Sequence, residues 1–160
     1  MSDVDVLVFE PPPMVDGELS VVLAARVPGN PEKDWVPAYQ FELRVAGHEA
    51  SVGHVNLRVG DTRHVVMHAG HVGYGVDPEW RGRRFAARAT RMVVAFAHSI
   101  GMRTVWITSN PDNPASLRTL EILGAERVEE VDVPPGTEMY ERGERRKVRF
   151  RIDVAGGGEE

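Results

Sequence analysis

The sequence predicts a mixed α/β domain of the α+β kind, and three observations carry that expectation. Side chains alternate apolar and polar through Ala38–Val45 and again through 52–59, which is the period of paired antiparallel strands. The period then changes: Phe85, Ala89, Met92, Val93, Phe96, Ala97 and Ile100 fall on one stripe of a helix that stops at Gly101. Strand-like runs return at 103–109, 127–133 and 147–154, so helices follow the first strands rather than alternating strictly with them.

Taken in order, apolar runs at 4–9 and 19–27 read as strands separated by the breakers Pro11, Pro12, Pro13 and Gly17. Residues 28–37 hold Pro28, Gly29, Pro31 and Pro37 and predict a loop with at most one turn. The two alternating strands pair through a turn at 47–50. A third strand is expected over 65–76, where Gly70, Gly73 and Gly75 suggest a bulge or a ligand lying close to the backbone. After the long helix and the run at 103–109, Asn113 offers an N-cap with Pro114 in the first helical position. That second helix runs to about Leu123 and Gly124 ends it. The last strand sets Val148, Phe150 and Ile152 against Arg149, Arg151 and Asp153. Residues 1–154 are expected to form one domain and 155–160 a disordered tail.

Composition narrows the function. There is no cysteine, which removes disulfides, thiolate metal sites and cysteine nucleophiles together. The N-terminal MSDVDVLVFE lacks the basic region of a secretory signal, and no run reaches the ~18 apolar residues of a membrane span. A cytoplasmic location without membrane contact is expected. Lys plus Arg number 19 against 24 Asp plus Glu, a net charge of -5, which argues against nucleic acid as a partner. The basic run at 142–151 reads as a solvated strand face. His68 and His71, placed on opposite faces of a strand, cannot share an ion, so no metal is expected. The only lysines are Lys33 and Lys147, so an anion site here must be built from arginines and backbone amides.

Such a site is visible in VDPEWRGRRFAARA at 76–89. A glycine-bearing strand turns at Asp77 and Pro78 directly into the long helix, whose first amides and dipole favour an anion. Arg81, Arg83 and Arg84 crowd the turn, and Gly82 lets a phosphate approach the backbone. Strand, VxPxxRGxx(Y/F)A, long helix, strand, then Asn113-Pro114-Ala115-Ser116, a short helix and Leu123-Gly124-Ala125 resembles the GNAT acetyltransferase core. The branch it resembles contains ribosomal-protein N-acetyltransferases. In that family's (Q/R)xxGx(G/A) loop, Arg81 and Ala86 match the ends and Arg84 replaces the central glycine. Arg84 is expected in the helical first turn, where a side chain is unstrained.

The resemblance covers about 38–133 and implies a mostly antiparallel sheet of about seven strands with a central V-shaped splay. It also implies a long helix after the fourth strand and acetyl-CoA as acyl donor. Cofactor contacts carry over to Tyr74, Gly75, Val76, Arg81, Gly82, Arg83, Arg84, Phe85, Ala86, Asn113 and Ser116. Many relatives place a tyrosine acid in the second helix, where this chain has Leu120. Ser116 or Tyr140 would have to substitute, although a first-turn serine bonding the backbone, or a packing tyrosine, explains each equally. His71 is the proton acceptor considered first, with Glu79 and His54 beside it. The family's two helices between the first strands are here the proline-rich loop at 28–37. An abbreviated, more open acceptor side is therefore expected, walled by Trp35, Tyr39, Tyr140 and Arg142. The activity implied is acetyl transfer to a primary amine of a small molecule or peptide by direct attack. The rival is a catalytically silent CoA-binding module acting as a sensor or interaction domain. An exposed C-terminal strand could also pair two copies into a homodimer.

Overall fold

The structure, a computed structural model, describes residues 6–154. A five-stranded sheet takes its strands in chain order: β1 (Met14–Asp16), β2 (Leu19–Val27), β3 (Ala38–Val45), β4 (Gly53–Arg58) and β5 (Val72–Val76). A three-stranded sheet holds β6 (Thr104–Ser109), β7 (Glu126–Asp132) and β8 (Arg146–Asp153) in the order β6-β8-β7. Every pairing among the described residues is antiparallel. Helices α1 (Phe85–Ser99), α2 (Pro114–Leu123) and α3 (Glu138–Glu141) complete the order. The long helix follows the fifth strand because the short β1 adds one at the start.

The alternating pattern does what its period requires. Tyr39, Phe41 and Leu43 on β3 and Val55 and Leu57 on β4 point to one face and are buried against α1. The α1 stripe supplies Phe85, Ala89, Val93, Phe96 and Ala97 to that face. Phe96 stands edge-on to Tyr39 at 5.2 Å and to Phe41 at 6.3 Å, and truncating such a ring typically costs about 3–5 kcal/mol. The same apolar cluster runs on through Val105, Ile107, Leu120, Val148 and Phe150, so both sheets share it. Asn113 caps α2 by accepting from the Ser116 N–H at 3.1 Å, and Gly124 closes it at φ 74.

Between β2 and β3 the chain forms only a 3-10 turn at Pro31–Lys33, capped by Asn30, in place of full helices. This is the abbreviated region the prolines predict.

Three expectations need correction. Leu7–Phe9 are in no strand, and residues 1–5 lie outside the described residues; Leu7 instead buries its side chain in the core, and the sheet begins after the proline run. The strand expected over 65–76 starts only at Val72. Val65–Ala69 is a π-helical turn, begun by a bond from the Val65 N–H to Thr62 Oγ1 and ended by Gly70 at φ 79. The basic C-terminal strand is not a solvated face throughout, because Lys147 and Arg149 are buried. Arg149 stacks on Trp106 at 4.0 Å, pairs with Glu129 and donates to Val66 O at 3.1 Å. Each polar need is met locally, which is what allows a guanidinium to be buried.

The two sheets meet at one junction and then part. The His71 N–H donates to Trp106 O at 2.6 Å, and the Trp106 N–H donates to His71 Nδ1 at 2.9 Å. A Cβ at Gly70 would lie 3.1 Å from Thr108 N and Trp106 O, so this close approach needs glycine on both steric and φ grounds. Past the junction β5 pairs with β4 alone and β6 with β8 alone, leaving a V between β5 and β6.

Candidate active site

The turn leaving the open end of β5 builds the first half of the site. From Val76 the chain passes Asp77 and a 3-10 turn at Pro78–Trp80 into the arginine loop and α1. Arg81 Nε donates back to Val76 O at 2.9 Å, which ties the loop to the strand end and leaves its other guanidinium nitrogens free of that bond. Arg83 lies over the Trp80 ring at 4.7 Å. Gly82 has φ 88, a left-handed conformation that suits glycine.

Arg84 overturns an expectation. It is not in the helical first turn but at the N-cap, left-handed with φ 61 and ψ 25. The central position of the motif thus keeps glycine's backbone shape without glycine, at a cost of about 1–2 kcal/mol. Burial of the next residue, Phe85, at 2% exposure holds the loop against that strain.

No side chain caps α1, and its first α-helical bond there runs from the Arg88 N–H to Arg84 O. The amides of Phe85, Ala86 and Ala87 therefore have no acceptor within the helix. Uncapped amides, exposed arginines and a left-handed glycine at one helix start fit a diphosphate-sized anion. Phe85, whose ring is in the core, can contribute only its N–H.

From the same strand, Tyr74 of β5 reaches α2: its hydroxyl is 3.0 Å from Ser116 Oγ. Burial pushes the Tyr74 phenol above its ordinary pKa, opposed by the Ser116 bond, so the hydroxyl keeps its proton at neutral pH. Gly75, beside it, meets His54: a Cβ there would come 2.7 Å from the imidazole Cε1. Leu120 is fully buried in α2 and offers no acid.

A cavity of about 780 Å³ opens between the Pro31–Lys33 turn, the end of β4, the π-helical turn and α3. Its walls include Lys33, Trp35, Arg58, His64, His68 and Arg142. Trp35 and Arg142, expected as acceptor-wall residues, both line this cavity. Tyr39 does not: it is fully buried in the core, its hydroxyl donating to Val6 O at 2.7 Å. Tyr140 packs under Arg145 at 3.7 Å, and its α3 neighbours line the cavity instead.

His71 is not an available base. It is 1% exposed, with Nδ1 accepting from Trp106 and Nε2 at 2.9 Å from Asp61 Oδ1, which fixes the Nε2–H tautomer. Burial, only partly offset by Asp61, holds its pKa below the usual imidazole value.

His68, which a strand over 65–76 would set on the face opposite His71, lines the cavity from the π-helical turn. Burial, then the nearby His64, lowers its pKa, so it is neutral at pH 7 and can accept a proton. The usable signal was the spacing of four between His64 and His68, which a helical turn brings to one side, with rings 6.1 Å apart. No group of three or more metal-ligating side chains occurs among the described residues, and no helix among them is long and apolar enough to cross a membrane.

Comparison with known proteins decides the family. The family model for the acetyltransferase (GNAT) domain matches residues 1–126. The chain belongs to the GNAT acetyltransferase family. Among solved structures, the GNAT fold is shared with the ribosomal-protein-S5-alanine acetyltransferase of Vibrio fischeri. That match has TM-score 0.61 and 21% identity, over 74% of this chain and 63% of that one. It is shared with RimL, a ribosomal L7/L12 α-N-protein acetyltransferase solved with coenzyme A, at TM-score 0.64 and 11% identity over 89% of this chain and 98% of that one. It is also shared with the microcin C7 self-immunity acetyltransferase MccE, solved with acetyl-CoA and AMP, at TM-score 0.56 and 14% identity over 78% and 63%. The chain thus spans less than two thirds of the Vibrio fischeri and MccE chains. At these identities the likeness is one of fold. The comparison with curated proteins gives no match.

Proposed function

We propose that this GNAT protein is an acetyl-CoA-dependent acetyltransferase acting on a primary amine, and the observation that carries the reading is the Tyr74–Ser116 pair in the V. The arginine loop supports CoA as ligand: Arg81, Arg83, Arg84 and the amides at the start of α1 would hold its diphosphate, as the fit of that turn to an anion suggests. Asn113 and Ser116 at the α2 start, with Gly75 and Val76 on β5, would flank the pantetheine arm. When bound, acetyl-CoA supplies a thioester carbonyl that an uncharged amine attacks, the C–N bond forming as the C–S bond breaks, with no covalent enzyme intermediate.

The chain's own groups account for both protons. An amine of pKa ~10 must lose one proton, and His68, neutral and on the cavity wall, is the acceptor we assign in place of His71. The second amine proton leaves the nitrogen as the C–N bond forms: the Tyr74 phenol O–H passes to the departing thiolate and its oxygen is reprotonated by that second amine proton, with Ser116 Oγ keeping the ring in position and His68 returning the first proton to solvent. A tyrosine on β5 thus takes the role that Leu120 cannot fill on α2. That substitution argues against the silent module, whose support was the missing helix tyrosine.

Acceptor-dependent thiol release from acetyl-CoA tests the reading, with Tyr74→Phe as the discriminating variant. Release in the wild type and its loss in the variant are expected. Tight CoA binding without release for any amine would favour the silent module.

A further inference from the structure

The acceptor cavity holds a guanidinium with no ion-pair partner among the described residues. Arg58 closes β4 on the face turned away from α1, opposite the buried Val55 and Leu57. Its guanidinium makes one hydrogen bond, from Nη1 to Gly70 O at 3.1 Å, and no carboxylate among the described residues pairs with it. Arg149, the other arginine taken into the region where the sheets meet, shows what full compensation looks like: Glu129, Trp106 and Val66 O all serve it. Arg58 has five N–H donors in a planar fork and uses one. Burial alone shifts its pKa, downward, as expected of a cation with no anion beside it.

The surroundings reinforce the sign. Lys33 and Arg63 line the same cavity without a salt bridge among the described residues, while Arg142 is answered by Glu144 at 3.0 Å. The acids on the wall, Asp34 and Glu138, are exposed, and neither forms an ion pair with Arg58 among the described residues. A partly buried guanidinium without a partner is costly, and the cost is recovered when a ligand brings the anion. The guanidinium also stands over Gly73, where a Cβ would lie 3.7 Å from Nη1, and Gly73 precedes Tyr74. A group held on Arg58 therefore lies against the Gly73 face of β5, the face opposite the one that carries the Tyr74 side chain.

Resting on the acetyltransferase reading, we propose that the acceptor amine also carries an anionic group, a carboxylate or a phosphate, which Arg58 holds on the cavity wall. A neutral amine of the same shape would leave the fork desolvated and unpaired, and so would be discriminated against.

Calorimetric binding of three matched dipeptides to the full chain, with and without CoA, tests this: Ala-Glu-amide, Ala-phosphoserine-amide and the uncharged Ala-Gln-amide. The expected result is binding of at least one acidic peptide about tenfold or more tighter than Ala-Gln-amide. That preference should collapse in Arg58→Gln, which retains a donor for Gly70 O. Whichever acid binds better identifies the anion. If Arg58→Gln does not fold, the wild-type preference is tested by salt, and it must shrink as ionic strength rises. Equal binding of all three peptides, no binding of either acid, or a preference that survives in folded Arg58→Gln overturns the proposal. Binding is read without turnover, so the two readings fail separately. Acid preference without CoA binding would sink the acetyltransferase reading, and CoA binding without acid preference would sink only this one.

Discussion

The hydroxyls of Tyr74 on β5 and Ser116 on α2 meet at 3.0 Å, beyond the His71–Trp106 junction from which β5 and β6 part. Because Asn113 fixes the Ser116 backbone and β5 fixes Tyr74, the pair is positioned by the scaffold rather than by a loop.

Tyr74→Phe removes the proton donor and leaves the ring's packing intact. It should lower kcat about 100-fold with CoA affinity changed less than about threefold, whereas Ser116→Ala, which only loosens the phenol, should cost about tenfold or less. Steady-state thiol release and CoA titration check both. An unchanged kcat in Tyr74→Phe would remove Tyr74 from the proposed chemistry.

Arg84 separates binding from strain. Arg84→Gly should raise the unfolding free energy by about 1 kcal/mol, because glycine adopts φ 61 freely, while Arg84→Ala should not. Both lose the guanidinium and should weaken CoA binding about tenfold. Denaturant unfolding beside calorimetry reads the two effects apart.

His71 predicts a pH dependence of stability. Burial depresses its folded-state pKa below the ordinary ~6.5, so its contribution is complete above pH ~6.5 and is lost as the pH falls from there towards the depressed value. His71→Ala, which also orphans the Trp106 N–H, should cost roughly 2–4 kcal/mol at pH 7.5 and less at pH 5.5. Thermal unfolding of both proteins across that range would show it.

His68 predicts a pH dependence of rate. Its pKa is lowered, so the neutral form is in place at pH 7, and kcat/KM should be flat there and fall only on acidification below pH ~6.5. His68→Gln should remove that acid limb together with most of the rate. A profile unchanged in the variant would assign the limb to another group.

Much of this was legible in the sequence, for reasons that differ by element. The stripe from Phe85 to Ile100 and the Asn113-Pro114 cap are local signals that no tertiary contact has to complete, and α1 and α2 follow them closely. The stretch 65–76 misled because its residues suit a strand by type, while the deciding facts were Gly70 at φ 79 and its contact with Thr108, a partner 38 positions away. Arg149 reads as solvated by alternation and is buried because Glu129, Trp106 and Val66 converge on it from other elements. The Tyr74–Ser116 pair spans 42 positions: each residue could be named singly, but their meeting is a property of the V.

The most direct test is acceptor-dependent thiol release from acetyl-CoA by the full chain with a panel of primary amines that includes the acidic dipeptides. Saturable release that depends on the amine and is lost in Tyr74→Phe is the predicted result. A folded, CoA-binding protein that releases no thiol above spontaneous hydrolysis with any amine would contradict it.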